Sequence, residues 1–382
     1  MRSWPKIALG DVLCRSSEPA VCAPDAEYDE VTIRLWGKGV ISRGKVCGAD
    51  VTTPRRVVRA NQLILSKIDA RNGAIGLVPQ ELDGAIVSND FPSFGFADSK
   101  QLDPAFMGWM VRSRHFVDLC KAASEGTTNR VRIKEDRFLA QKIVLPPLTE
   151  QQAIVSRLDA LADKVRQVNE HLDAIERDAD RLLAVRFRDA IADAPVRPMA
   201  EVAPLVRREI AIELEGSYPE LGIRSFGKGT FHKPPLSGAD VGTKRLFSIE
   251  PGDLLFSNVF AWEGAIAVAQ PEDVGRFGSH RFITCRVNPH ITSAEFLRYY
   301  FLTDTGLEKI GEASPGGAGR NRTLGLEKLT AIQVPMPSPA TQRTFDVLQT
   351  KVAELKARHA TIRQANDALI PATLERVFSG SH

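Results

Sequence analysis

Apolar residues between positions 149 and 192 recur at steps that alternate between three and four. They form a stripe through Leu158, Leu161, Val165, Val168, Leu172, Ile175 and Leu182. This spacing is typical of the apolar seam of a coiled-coil helix. At about 1.5 Å per residue, a helix of this length forms a rod roughly 60 Å long. Such a rod must bury its seam against a partner.

A second stripe, between positions 338 and 382, predicts that partner within the same chain. Its apolar members are Phe345, Leu348, Val352, Leu355, Ile362 and Leu369. The polar residues His359 and Asn366 interrupt it. A buried polar residue in such a seam costs stability and fixes the register of pairing. We therefore predict that the two helices pack against each other.

Both helices carry terminal signals. Thr149 is predicted as an N-cap with Gln152 as its capping-box partner, and Ser338 as an N-cap followed by Pro339 at the first helical position. Pro371 predicts a kink or a late end of the second helix.

The chain also repeats itself at an offset of about 190 residues. Residues 33–39 match 223–229, residues 48–51 match 238–241, and Gln152 is matched with Gln342. Because the matches keep their order along the whole unit, the chain is a duplication. The predicted organisation is a first domain (1–148), a central helix (149–192), a second domain (193–337) and a C-terminal helix (338–382).

Each domain has the pattern of an α+β fold. Residues 63–68 and 74–78 look like strands around an Asn72-Gly73 turn, with counterparts at 253–257 and 265–268. Residues 104–121 and 293–312 have helical spacing. A loop rich in Gly, Thr and Asn follows at 126–129, and then a short strand precedes the long helix.

Composition and charge exclude several classes of protein. The chain is 43% hydrophobic and 25% charged, which is typical of a globular protein. Its net charge is only +3, so any DNA-binding surface must be local. Five scattered cysteines show no metal-ligand spacing, so they are expected to be reduced thiols, and no metal site is predicted. Without a signal peptide or a membrane-length apolar run, a cytoplasmic location is expected.

Motifs for catalysis are weak. Residues 222–228 approach a phosphate-binding loop, but Gly229 stands where Ser or Thr should follow, and Thr32 replaces the first glycine in the other copy. Residues 88–92 lack the proline that a methyltransferase motif needs after the asparagine. A nucleotide-binding enzyme is therefore the weakest alternative.

Local positive charge is the better candidate for function. Basic residues in loops and turns supply phosphate contacts, and Arg or Asn can also contact base edges. Arg130, Arg132 and Lys134 alternate, so they are predicted to share one strand face. The full set of DNA-binding candidates is Lys38, Arg43, Lys45, Arg55, Arg56, Asn129, Arg130, Arg132, Lys134, Lys228, Lys233, Lys244, Arg245, Arg320 and Arg322.

One stretch carries a family resemblance. Residues 145–155, Leu-Pro-Pro-Leu-Thr-Glu-Gln-Gln-Ala-Ile-Val, follow the 126–130 loop and resemble the start of the spacer helix in a specificity subunit of a type I restriction-modification system. Residues 251–257 also resemble a recurrent strand of that family. The second helix departs from the pattern, because Ala340-Thr341 replaces Glu150-Gln151 and only Gln342 remains.

The resemblance implies a non-catalytic DNA-reading scaffold. Two α/β target recognition domains, separated by two long helices in an antiparallel coiled coil, would be related by a pseudo-twofold axis. Each domain would read one half of a bipartite target in double-stranded DNA, and the helices would set the spacing. Two methyltransferase subunits and restriction subunits would be partners, carrying S-adenosylmethionine, ATP and Mg. The alternative is a coiled-coil scaffold that binds proteins and not DNA.

Overall fold

The computed structural model describes residues 4–98, 100–126, 131–316 and 322–379. These residues form two compact units. The first unit extends to Asp173 and resumes at His359, and the second comprises Ala174–Arg358. Each unit therefore contains a mixed domain and part of both long helices.

The described part of the first unit contains two four-stranded sheets and two strand pairs. Its strands are β1 (Lys6–Ala8), β2 (Leu13–Ser16), β3 (Glu27–Ile33), β4 (Val40–Cys47), β5 (Arg56–Val57), β6 (Leu63–Leu65), β7 (Ile75–Leu77), β8 (Ile86–Val87), β9 (Ser93–Phe96), β10 (Ser124–Glu125), β11 (Arg132–Ile133) and β12 (Lys142–Val144). The sheets have the orders β2-β9-β6-β7 and β4-β3-β8-β5, while β1 pairs with β12 and β10 with β11. Only the β3–β8 contact is parallel in these described sheets.

The helices of this unit complete its core. They are α1 (Leu9–Val12), α2 (Pro104–Met110), α3 (Arg114–Ala122), α4 (Glu135–Leu139) and the first part of α5 (Leu148–Ile191). Phe106 of α2 and Phe116 of α3 join Leu63, Leu65 and Phe94 of the first sheet in one buried cluster. Burial of these large apolar side chains is the main stabilising contribution.

The second unit repeats this topology. Its strands are β13 (Val196–Pro198), β14 (Leu205–Val206), β15 (Ser217–Ile223), β16 (Thr230–Ser237), β17 (Leu246–Ser248), β18 (Leu254–Ser257), β19 (Ile266–Val268), β20 (Phe277–Ser279), β21 (Phe282–Cys285) and β22 (Gln333–Pro335). The sheet orders β14-β21-β18-β19 and β16-β15-β20-β17, with the pair β13-β22, match those of the first unit strand for strand. The predicted α+β class is thereby confirmed.

The helices of the second unit also follow the first. They are α6 (Met199–Val202), α7 (Gly238–Val241), α8 (Ala294–Phe301), α9 (Asp304–Glu312), α10 (Leu326–Ala331) and α11 (Pro339–Phe378), of which α11 returns to the first unit. The single helices expected over 104–121 and 293–312 are each two helices. Ser113 and Thr303 cap the second helix of each pair by accepting a hydrogen bond from a backbone N–H, and this breaks the helix.

The long helices α5 and α11 run antiparallel within each unit. In the first, Arg363 pairs with Asp173 at 2.7 Å, and the Asn366 side chain donates to the Val165 carbonyl oxygen at 3.0 Å. In the second, Lys356 pairs with Asp180 at 2.6 Å.

The buried stripe of α5 is rotated from the predicted seam. Leu158, Leu172 and Val352 are buried, and Leu161, Val165, Leu348 and Leu355 are partly buried. Val168, Ile175, Leu182, Ile362 and Leu369 are exposed, so their placement in the seam is wrong. The packed stripe of α5 instead continues through Val155, Ala162, Asn169, Glu176 and Leu183. Both stripes share the 3–4 spacing, and only packing distinguishes them.

Of the two predicted N-caps, that of α11 is present and that of α5 is not. Ser338 accepts a hydrogen bond from the Thr341 N–H at 3.2 Å before Pro339 begins α11, as predicted. Thr149 is not the cap of α5, because α5 already begins at Leu148. α11 does not end at Pro371 but continues to Phe378.

Candidate nucleic-acid interface

The β3–β4 hairpin ends in a tip that presents an aromatic side chain to solvent. In this first tip, residues 34–39, Trp36 has a backbone φ of +61° and is 68% exposed. Its amide N–H donates to the carbonyl of Asn72 at 3.0 Å, and the N–H of Gly37 donates to that of Gly73 at 3.0 Å. The first tip is thereby attached to the turn between β6 and β7.

The β15–β16 hairpin repeats the arrangement. In this second tip, residues 224–229, Phe226 has a φ of +62° and is 74% exposed. Its N–H donates to the carbonyl of Glu263 at 2.8 Å, and the N–H of Gly227 donates to that of Gly264 at 2.8 Å. The second tip is therefore attached to the turn between β18 and β19.

Each tip carries a lysine that the sequence singled out. Lys38 and Lys228 are both exposed, and the Nζ of Lys228 lies 5.8 Å from the ring centroid of Phe226. Neither lysine forms an ion pair within the described parts of the chain. Both ammonium groups are thus available to an external anion.

A further basic group lies beside the β6–β7 turn. The N–H of Lys67 donates to the carbonyl of Asp90 at 2.8 Å, and the Lys67 carbonyl accepts from the N–H of Ile133 at 2.8 Å. Arg132 pairs with the Asp90 carboxylate at 2.9 Å, and Lys67 with Glu135 at 3.0 Å. The turn that holds the first tip therefore also holds Arg132.

The second unit brings the corresponding groups together. The N–H of Leu324 donates to the carbonyl of Asn258 at 2.8 Å, which ties the segment that precedes α10 to the β18–β19 turn. The guanidinium of Arg322 lies 5.2 Å from the ring centroid of Trp262 in that turn. Arg322 is therefore placed by a cation–π contact.

Other predicted basic residues lie elsewhere or outside the description. Asn129, Arg130 and Arg320 fall outside the described residues. Strand β11 covers only Arg132 and Ile133, and Lys134 is the extended N-cap residue of α4. Arg132 and Lys134 are exposed on either side of the buried Ile133.

The remaining basic residues of the first unit lie on the second sheet. Arg43 and Lys45 occupy β4 and contact Glu30 at 4.0 Å and Glu27 at 3.7 Å, respectively. Arg55 also contacts Glu30, at 3.1 Å. Arg56 lies on β5. Arg43, Lys45 and Arg55 would each have to exchange a carboxylate for a phosphate on binding DNA.

Among their counterparts in the second unit, Arg245 is likewise paired. Lys233 lies on β16, and Lys244 and Arg245 precede β17. A hydrogen bond from Arg245 to Glu209 raises the pKa of the guanidinium and lowers that of the carboxyl group. Both side chains are solvent-exposed, so screening keeps this pair weak.

A buried glutamine attaches each long helix to the mixed domain that precedes it. The Gln151 side chain is fully buried, donates to the carbonyls of Gln101 and Pro146 at 2.8 Å, and accepts from the N–H of Asp103 at 2.9 Å. Gln342 donates in the same way to the carbonyls of Ile291 at 3.0 Å and Pro337 at 2.9 Å. The match of Gln342 with Gln152 is therefore wrong, because Gln152 is exposed.

Trp36 and Phe226 are the residues of these surfaces that charge-based reasoning did not identify. A signal was nevertheless present, since both fall at the same place in the matching stretches 33–39 and 223–229. Each is followed by Gly-Lys-Gly, and a glycine-bounded turn exposes whatever side chain it carries.

The cysteines divide into buried and exposed thiols. Burial raises the pKa of the Cys120 and Cys285 thiols to about 12, while Cys14 and Cys47 are exposed. Over the described ranges, no three His, Cys, Asp or Glu side chains cluster as metal ligands. No helix in the described part of the chain combines the length and apolar character needed to cross a membrane.

Comparison with known proteins gives similarities of sequence and of fold. Residues 50–177 match the family described as "Type I restriction modification DNA specificity domain". The crystal structure of the HsdS subunit from Thermoanaerobacter tengcongensis is 22% identical with a TM-score of 0.64, and the match covers 100% of this chain and 98% of that one. At this identity the likeness establishes the fold alone.

A second solved structure has a similar fold. It is described as "Structural basis underlying complex assembly and conformational transition of the type I R-M system". The chain is 21% identical to it with a TM-score of 0.70, covering 98% of this chain and 97% of that one. No curated protein sequence matches.

Proposed function

We propose that this chain, whose residues 50–177 match the type I restriction modification DNA specificity domain, is a DNA specificity subunit that reads one half of a bipartite target with each unit. The observation that carries the proposal is the repetition of one topology in both units. In each, an exposed tip and a basic side chain are attached to the same turn. Two similar readers in one chain suit a target with two separate halves.

The chemistry of these surfaces suits duplex DNA. Unpaired ammonium groups such as Lys38 and Lys228 neutralise phosphates and release counterions. Arginines held by a neighbouring side chain, such as Arg132 and Arg322, keep donors in a fixed direction, as contacts to base edges require. Lysines would thus supply affinity, and the arginines and aromatic side chains would supply selectivity.

An exposed apolar row on α5 suits docking of partner helices. Leu161, Val168, Ile175 and Leu182 recur every seven residues, so they share one helix face, and the last three are exposed. Exposed apolar rows of this kind mark interaction sites. We propose that methyltransferase subunits, two per chain, cover this row, and that restriction subunits join the complete assembly in the cytoplasm.

The proposed division of labour leaves catalysis to the partners. S-adenosylmethionine, ATP and Mg would bind to the methyltransferase and restriction subunits. The nucleotide-binding alternative is not favoured, because residues 222–229 lead from β15 into β16. A phosphate-binding loop of that type must open into a helix, whose N-terminus holds the phosphates.

The proposal is tested by mapping methylated bases in a host that expresses the chain together with its methyltransferase subunit. We expect methylation at one bipartite, asymmetric sequence, and none when either gene is omitted. A contiguous palindromic motif would contradict the proposal. Binding of the assembled complex to DNA should also weaken steeply with salt, whereas a scaffold that binds only proteins would show no such dependence.

Docking is tested in the same coexpression system. Val168→Glu places a charge in the exposed row and should abolish copurification of the methyltransferase subunit. Val21→Glu is the matched control, because Val21 is 91% exposed and lies in the recognition domain. Equal copurification of both variants would show that the row is not the docking surface.

A further inference from the structure

The two hairpin tips share a construction that DNA phosphate contacts alone do not explain. Both place a large aromatic residue in the left-handed backbone region, at φ +61° for Trp36 and +62° for Phe226. Bulky residues rarely adopt this conformation, because Cβ then crowds the following carbonyl oxygen. Both side chains are also mostly exposed. Strain and exposure together are unfavourable in the free protein, so a bound state must use the side chain.

The tips are rigid as well as strained. Each is held by two backbone hydrogen bonds to the neighbouring turn. A Cβ on Gly73 would lie 3.0 Å from the Trp36 backbone, and one on Gly264 would lie 3.4 Å from the Phe226 backbone. The close backbone approach fixes the direction of the Cα–Cβ bond of each aromatic residue before any ligand arrives.

The charge around each aromatic residue indicates the kind of ligand. The first tip reads Arg34-Leu-Trp36-Gly-Lys38-Gly, and the second has the same basic and aromatic positions. A flat apolar ring between two cations fits a polyanion that also offers stacked rings. One carboxylate lies close to the second tip, that of Glu263, which accepts a hydrogen bond from the Ser225 hydroxyl.

We propose that Trp36 and Phe226 are apolar wedges, each of which inserts against a base step within its own half-site and partly unstacks it. Apolar side chains that enter a duplex in this way distort it locally, and the cost depends on the base step. Each wedge therefore contributes to sequence selection at a position that makes no hydrogen bond to it. This inference rests on the proposed DNA-reading function.

The test uses the full chain assembled with its methyltransferase subunits and a duplex containing the target identified by methylation mapping. Single 2-aminopurine substitutions across both half-sites report unstacking as a rise in fluorescence. With the wild-type complex, we expect one responsive step in each half-site in addition to any base that the methyltransferase subunits extrude for modification. Trp36→Ala should abolish the response at that step in one half-site only, and Phe226→Ala in the other, while the response of an extruded base remains.

Affinity gives a second readout. Stacking of an aromatic side chain on a base is worth about tenfold in binding or more, so each alanine variant should weaken specific binding by at least that factor. The salt dependence should not change, because no charge is removed. Lys38→Ala should instead reduce the salt slope by about one. Trp36→Phe should retain most of the affinity.

Controls separate the wedge from folding and from the parent proposal. Leu214→Ala removes a side chain that is 75% exposed in the second unit, and it should leave binding unchanged. All variants should melt near the wild-type temperature, and Trp36→Gly, which relieves the strain, should melt no lower. If the wild-type complex selects a bipartite site and Trp36→Ala matches it in affinity and fluorescence, the wedge alone is wrong. If the wild type selects no such site, the parent function is wrong as well.

Discussion

The Gln151 side chain joins two parts of the first unit through hydrogen bonds rather than through apolar packing. Its amide satisfies two carbonyls and one N–H from the segments that precede α2 and α5. Gln342 makes both donor bonds, but its Oε1 is buried without a hydrogen-bond partner. The two copies of this contact are therefore unequal.

This inequality predicts a graded loss of stability. Gln151→Ala removes the partner of three backbone groups, one in a buried and two in partly buried contacts. At about 1–3 kcal/mol for a buried group, it should lower the free energy of unfolding by at least that amount. Gln342→Ala should cost less, because it breaks two bonds. Chemical denaturation of the full chain measures both. Gln152→Ala is the control, with an expected change within about 0.5 kcal/mol. An equal effect at positions 151 and 152 would contradict the assignment.

At the scale of single elements, α5 shows what the pattern could and could not predict. The sequence predicted the helix and its 3–4 spacing, because both follow from local periodicity. It did not select Asn169 and Glu176 over Val168 and Ile175 for the packed face. Polarity favours the opposite choice, and the true face is determined by contacts with α11, which lies far away in the sequence.

The polar pair in this packed face predicts a specific coupling. Asn366 donates to the side-chain oxygen of Asn169 at 3.1 Å as well as to the Val165 carbonyl. Asn366→Ala should destabilise the chain by about 1–2 kcal/mol, because a buried acceptor loses its donor. Replacing both asparagines with leucine should restore at least the wild-type stability, as is often found when apolar residues replace buried polar pairs.

A double-mutant cycle on the free energy of unfolding measures this coupling. Asp367→Ala serves as the control, since this neighbouring residue is exposed. Additive effects of the two asparagine substitutions would show that they do not act as a pair.

At the scale of the whole molecule, the duplication was the most productive sequence signal. Because the two copies match in order, either copy supports the interpretation of the other, and the strand-for-strand repetition agrees with this. Strand order itself was not predictable. It depends on long-range pairings such as the parallel contact of β3 with β8, which leave no local pattern. The aromatic tips were overlooked because a single exposed side chain has no periodicity.

From the packing of the long helices we predict how the gap between the two half-sites could be lengthened. Inserting one heptad into α5 after Asp173, and a matching heptad into α11 before His359, preserves both packed faces and adds about 10 Å to each helix. That length corresponds to about three base pairs at roughly 3.4 Å each. Methylation mapping should therefore find both half-sites unchanged and the unread gap longer. Insertion of seven polar residues into the loop between β14 and β15 should leave the gap and both half-sites unchanged. Altered half-site sequences would refute the role of the helices as a spacer.

The division of the chain into units has a further consequence for its synthesis. The core of the first unit includes Leu374 and Phe378, and the ring of Phe378 lies 5.4 Å from that of Phe106. These residues are translated after the whole of the second unit, so the core of the first unit is completed only after the second unit has been made. A nascent or prematurely terminated chain lacks part of that core. A chain that stops before α11 therefore leaves the first core incomplete, and under the proposed function it could not read both halves of a target.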